Sequence, residues 1–84
     1  MKLTVEISLY PLQDDYIPVI EAFIAAAREH GDLDIVTNAM STQICGDYDR
    51  VFALLRQELK VSYREHGRQV LVCKLIPGEL AIRR

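Results

Sequence analysis

From Thr4 to Tyr10 the chain alternates without a break, with Val5, Ile7 and Leu9 on one side and Thr4, Glu6, Ser8 and Tyr10 on the other. A period of two marks a half-buried strand, and Pro11 closes it. Asp14 and Asp15 follow, then Ile17, Ile20, Ile24 and Ala27 at helical spacing, with Phe23 widening the apolar stripe. Pro18 suits a first helical turn, where its missing N–H would have had no partner anyway. Gly31 stops this helix. Residues 33–37 and 41–46 read as short strands joined tightly around Asn38, Ala39 and Met40. A second helix starts near Asp47, turns Val51, Leu54, Leu55 and Leu59 inward, and stops at Gly67. Gln69 to Ile76 is the last strand, closed by Pro77 and Gly78; the tail from Glu79 to Arg84 fits either a short extra strand or a frayed end.

The order βαββαβ is two strand–helix–strand halves. Right-handed crossovers of such halves give an α+β, ferredoxin-like sandwich: a four-stranded antiparallel sheet with both helices on one face. The tetrapeptide Arg28-Glu29-His30-Gly31 recurs as Arg64-Glu65-His66-Gly67. Both copies fall at a helix end, where glycine favours the left-handed conformation and histidine meets the negative end of the dipole. This topology gathers Tyr10, Asp14, Asp15, Asn38, Ser41, Thr42, Tyr63 and His66 at one edge of the sheet and puts His30 at the other. The histidines therefore cannot share a metal within one chain.

Composition narrows the function. The 84 residues are half hydrophobic, with a net charge of −2, as expected of a single globular domain over residues 1–84. No basic stripe is present to neutralise phosphates, which argues against nucleic acid. No apolar run approaches the roughly 20 residues a spanning helix needs, so membrane insertion is not expected. Glu6 inside the N-terminal apolar run is unlike a signal peptide. Cys45 and Cys73 lack CxxC or histidine spacing and fall on strands separated by the first, too far apart for a disulfide. Both are expected to be reduced, packed thiols, in a cytoplasmic protein that needs no metal.

The remaining polar residues have ordinary structural roles as well as functional ones. Asp14 and Asp15 are first of all helix-start acids, and one of them also becomes a candidate partner for a cationic ligand. Ser41 and Thr42 are routine hairpin hydroxyls. Beside Asn38 and Tyr10 they become candidate contacts for a flat heteroaromatic ring. Arg56, Lys60 and Arg64 read as the solvated face of the second helix. On the sheet face away from the helices, Val70, Val72 and Ile76 leave apolar surface, which predicts a homodimer through the open sheet face.

Two blocks carry a family resemblance. Ser8-Leu9-Tyr10-Pro11-Leu12 runs into Asp14-Asp15-Tyr16 and an isoleucine-rich helix, and Ser41-Thr42-Gln43-Ile44-Cys45-Gly46 leads to Arg50-Val51-Phe52. Together they resemble the YkoF-like family, which binds thiamine and its hydroxymethylpyrimidine moiety, and the likeness covers about residues 5–76. It implies a ferredoxin-like fold and non-catalytic binding of thiamine or hydroxymethylpyrimidine, in thiamine salvage or transport, with no cofactor beyond that ligand. It also carries over Tyr10, Asp15, Ser41 and Thr42 as ligand-edge positions, with Asn38 where the family often has a polar or acidic residue. The family's namesake holds two such domains in tandem, and a homodimer would restore that pairing. Two other classes fit the fold: a cofactor-independent enzyme of the dimeric α+β barrel type, drawing on His66 or Tyr63, and a regulatory interaction module. Incubation with ligand and a small-molecule stabilisation screen separate the three.

Overall fold

The computed structural model describes residues 1–83. Its elements are β1 (Lys2–Pro11), α1 (Ile17–Arg28), β2 (Asp34–Thr37), β3 (Thr42–Asp47), α2 (Tyr48–His66) and β4 (Gln69–Pro77). The four strands form one sheet in the order β2-β3-β1-β4, antiparallel at every pairing. Leu3, Val5 and Ile7 of β1, with Ile35 and Ile44, pack against Phe23 and Ala27 of α1 and Val51, Leu54 and Leu55 of α2. Both helices therefore cover the same face, giving the ferredoxin-like sandwich.

The pairing registers fix where backbone groups point. Gly78 N–H donates to Lys2 O at 2.8 Å and Leu12 N–H to Arg68 O at 3.1 Å, both in register with the β1–β4 pairing. In an antiparallel ladder hydrogen-bonded and non-bonded pairs alternate. The even-numbered residues of β1 and β4 thus bond to each other, while the odd-numbered residues of β1 face β3. Tyr48 N–H donating to Met1 O at 2.8 Å agrees with that parity. Pairing with β3 ends at Ile7 and Thr42, although β1 continues to Pro11. Leu9 is the next odd residue, so its N–H and C=O point past the end of β3 with no strand opposite. Pro11, one odd position further, has no N–H to leave unpaired.

Several local expectations are corrected. Tyr16 is the N-cap of α1, without a side-chain cap bond, and the first turn holds no acid. Asp14 and Asp15 are exposed in the preceding turn and do not cap the helix. The buried line of α1 is Val19, Phe23 and Ala27; Ile20 and Ile24 are half-buried beside it and Ile17 is exposed. On α2, Asp47 caps the start by accepting the Arg50 N–H, as expected. Its inward face, however, carries buried Glu58 and Ser62, and Leu59 is partly exposed. The repeated tetrapeptide does different work in its two copies. Gly67 has φ of 88° and its N–H closes on Tyr63 O, whereas Gly31 lies beyond the Glu29 C-cap without a positive φ. His30 meets Glu58 Oε2 at 2.8 Å instead of facing a helix end.

The tail is neither a strand nor frayed over the described residues, with Arg84 outside them. It folds back across the open face: Leu80 N–H donates to Thr4 Oγ1 at 3.0 Å, and Arg83 pairs with Asp34 and donates to Ile35 O at 3.1 Å. Thr4 and Cys45 are buried on that face. Cys73 is exposed, contrary to expectation.

Candidate functional site

Where β1 outruns β3, a cleft of about 220 Å³ opens between the end of β1, α1 and the β2–β3 hairpin. The overrun supplies Ile7, Ser8, Leu9 and Tyr10, the helix supplies Ile20, Phe23 and Ile24, and the hairpin supplies Thr37 to Thr42. The walls are mainly apolar, and hydrogen-bonding groups gather on the hairpin side. Thr37 Oγ1 and Thr42 Oγ1 lie 3.0 Å apart, and Thr42 is buried. Two hydroxyls share one hydrogen in their mutual bond, so the second hydrogen and the spare lone pairs remain for another partner. Asn38 Oδ1 holds the turn by accepting Met40 N–H at 2.8 Å and Ser41 N–H at 3.1 Å. This leaves the Asn38 amide NH₂ for other contacts.

Ser41 lines the cleft, yet its hydroxyl is engaged on the open face. It donates to Glu6 Oε2 at 2.8 Å and accepts from Gln43 Nε2 at 2.8 Å, and Glu6 Oε1 lies 3.5 Å from Lys74 Nζ. The Ser41 hydroxyl, aided by the Lys74 charge, holds the Glu6 carboxyl below its ordinary value of 4.5, against a smaller opposing effect of desolvation. A lowered folded-state value means this contribution to stability is present above about pH 4.5 and fades as the pH falls through the lowered value. Ser41→Ala is therefore expected to move Glu6 back toward the ordinary carboxylate value. An NMR titration of the Glu6 carboxyl carbon reads this directly, and an unmoved midpoint would mean the hydroxyl does not control it.

Of the five residues singled out in the sequence, Tyr10, Asn38, Ser41 and Thr42 line this one cleft. Tyr10 stands on its rim, 56% exposed. Asp15 is exposed outside the lining; its backbone carbonyl accepts the Gln13 side-chain amide at 2.9 Å. Tyr63 is exposed on α2. His66 lines a separate, smaller hollow between the helices, with Phe23, Glu58 and Ser62. Among the described residues no cluster of three or more His, Cys, Asp or Glu side chains is placed to hold a metal. No helix among the described residues is long and apolar enough to cross a membrane.

Sequence reasoning missed two contributions. The Leu9 peptide edge becomes visible only when the lengths of the paired strands are known. Ile20 and Ile24 belong by period to the core stripe, yet with Phe23 they form the helix wall of the cleft. Their signal was the breadth of the stripe, wider than the sheet needed.

The model of the YkoF-related family matches residues 2–75. No curated protein matches the chain. Among solved structures, protein SP2199 of Streptococcus pneumoniae superposes with a TM-score of 0.83 at 24% identity, over 98% of this chain and 92% of that one. A hypothetical protein of Methanocaldococcus jannaschii, MJ1052, gives 0.80 at 24% identity, over 93% and 81%. A Thermotoga maritima protein, TM0486, with a provisional assignment to thiamine biosynthesis or salvage, gives 0.78 at 18% identity, over 89% and 82%. At these identities the superpositions establish the shared fold.

Proposed function

We propose, because the chain belongs to the YkoF-related family and carries this cleft, that it binds the aminopyrimidine ring of hydroxymethylpyrimidine or thiamine without catalysing a reaction, in thiamine salvage or transport. The observation that carries the reading is the unpaired strand edge at Leu9, which lines the cleft. A strand residue presents its N–H and C=O side by side. An aminopyrimidine presents a ring-nitrogen acceptor beside an amino donor, which is the complementary pattern. Thr37, Thr42 and the Asn38 amide supply further donors and acceptors, while Ile20, Phe23, Ile24 and Met40 offer apolar contact to the ring. The cleft falls below the roughly 300–1,000 Å³ of sites that enclose drug-sized ligands. It matches a single ring, with the thiazolium of thiamine projecting toward solvent. Asp15 lies in the exposed turn before α1 and in this reading acts on that charge through solvent.

The absence of a carboxylate, imidazole, thiol or cation from the lining supports binding over acid–base chemistry and disfavours phosphorylated ligands. A homodimer is part of the reading. Val70, Val72 and Ile76 are 46%, 46% and 41% exposed on the sheet face away from the helices, more apolar strand surface than one chain covers.

Calorimetric titration with hydroxymethylpyrimidine, thiamine and their phosphates is the test. Saturable binding of the unphosphorylated compounds, with the ligand recovered unchanged, is expected. Thr42→Val keeps the side-chain shape and removes the hydroxyl, so affinity should fall by the worth of one hydrogen bond, about 0.5–1.5 kcal/mol. Asp15→Asn should weaken thiamine more than hydroxymethylpyrimidine, which lacks the positive ring. No heat with any of the four compounds would refute the reading.

A further inference from the structure

The hydrogen-bonding side of the cleft is carried by a turn that the sheet barely holds. Pairing of β1 with β3 stops at Ile7 and Thr42, and β2 ends at Thr37. Residues 38–41 therefore lie beyond both ladders. Asn38 N–H donates to Ser41 O, and the N–H groups of Met40 and Ser41 donate to Asn38 Oδ1. These bonds shape the turn without tying it to β1. Asn38, Ala39 and Met40 are exposed, so packing adds little, and a segment with few buried contacts opens at small cost. Among the described residues, a single hydrogen bond joins the turn to β1, from the Ser41 hydroxyl to Glu6 Oε2.

Alternation along the strand gives that bond its leverage. Thr42 pairs with Ile7 and shares its face, toward the cleft, so Ser41 one residue earlier turns to the open face. Glu6 stands there in a row across the sheet, opposite Gln43 of β3 on one side and Lys74 of β4 on the other. Lys74 Nζ lies 3.5 Å from Glu6 Oε1, and Gln43 Nε2 donates to the Ser41 hydroxyl. The hydroxyl is thus gripped from two strands, and its bond to a carboxylate is of the stronger, charge-assisted kind. With Ser41 fixed on one face, the direction in which Thr42 leaves the other face is fixed too.

We propose that Glu6, on the face of the sheet opposite the cleft, is a positioning residue for pyrimidine binding: through the Ser41 hydroxyl it holds the hairpin so that Asn38 and Thr42 stand where the ring meets them. Glu6 is not among the residues that line the cleft and touches no ligand. This role rests on the reading of the cleft given above and extends its machinery beyond the lining. When the grip is lost, the hairpin spends part of its time out of place, and the apparent affinity falls by the fraction that remains competent.

Calorimetric titration of Glu6→Ala, Ser41→Ala, the double variant and Glu6→Gln with hydroxymethylpyrimidine is the test. The Glu6 side chain is 39% exposed, so all four should fold by circular dichroism. Each alanine variant should bind about tenfold more weakly, the loss of one hydrogen bond to a charged group. The double variant should be no weaker than the worse single one, because both remove the same bond. Glu6→Gln keeps a carbonyl acceptor for the hydroxyl and should return the affinity to within about threefold of the parent. By NMR, solvent exchange at the Met40 and Ser41 amides should quicken in Glu6→Ala more than at Val5, in the middle of the ladder. A native chain that takes up no hydroxymethylpyrimidine overturns the reading of the cleft and this role together. A native chain that binds, with Glu6→Ala binding equally well, overturns the positioning role alone. So does weakening confined to Ser41→Ala, which would put that hydroxyl on the ligand itself. Loss of fold in Glu6→Ala overturns it as well, because the carboxylate would then be structural.

Discussion

His30→Ala is expected to lower the melting temperature by more than about 10 °C. Glu58 is 5% exposed, and its Oε2 accepts from His30 Nε2 at 2.8 Å and from Gln57 Nε2 at 3.3 Å. The His30 side chain is itself only 23% exposed. Truncating it leaves a buried carboxylate with one long contact. Breaking a buried pair from one side costs about 3–5 kcal/mol, and the partial access of water at His30 favours the lower end. A chain this short has a total stability of about 5–15 kcal/mol, and each kcal/mol corresponds to roughly 4–8 °C. The matching double variant, His30→Ala with Glu58→Met, leaves no buried polar group without its partner and should regain part of the loss, the cavity left by the imidazole accounting for the remainder. If the single variant melts with the parent, or the double variant melts lower still, the contact does not join the end of α1 to α2 as the geometry indicates.

That pair shows where sequence reading stops. The element order followed from periodicity: strict alternation in β1, the 3.6-residue repeat of α2, and the turn residues at Asn38 and Gly67 each point to one structure. Period alone does not identify a polar residue on a buried face. Glu58 falls at the helical phase of Val51, Leu54 and Leu55, yet its burial depends on an imidazole 28 positions earlier in sequence, on another element. Leu59 reads as inward because it is apolar, yet it lies at the margin of the α2 stripe, 36% exposed. The two copies of Arg-Glu-His-Gly diverge for the same reason: local sequence favours a cap, and the tertiary partner Glu58 claims the first histidine. Polar residues clustered at one end of the sheet were legible because topology alone brings Tyr10, Asn38, Ser41 and Thr42 together. The Asp15 side chain was not, since a turn of exposed residues from Leu12 to Tyr16 leaves its direction unspecified. Nor was the Leu9 peptide edge, which exists only because one strand outlasts its neighbour.

Ile24→Trp is the counterpart for function and is expected to abolish pyrimidine binding while leaving the fold intact. Ile24 lies on the cleft side of α1, half-buried, one position beyond the core residue Phe23. The larger indole can enter the cleft instead of the core, so overpacking should cost less than the roughly 1–3 kcal/mol typical of a filled interior. An indole in this cleft of about 220 Å³ fills the space beside the helix wall that a pyrimidine ring would occupy. The ligand loses its apolar wall and its approach to the Leu9 peptide edge together, and titration should show no saturable heat. The contrast with Thr42→Val, where one hydroxyl is lost and binding persists, separates steric occlusion from hydrogen bonding. A ligand that stabilises the native state alone raises its stability by RT ln(1 + [L]/Kd), so the thermal shift with hydroxymethylpyrimidine should disappear in Ile24→Trp and shrink in Thr42→Val. An Ile24→Trp protein that folds and still binds with native affinity would place the ligand outside this cleft.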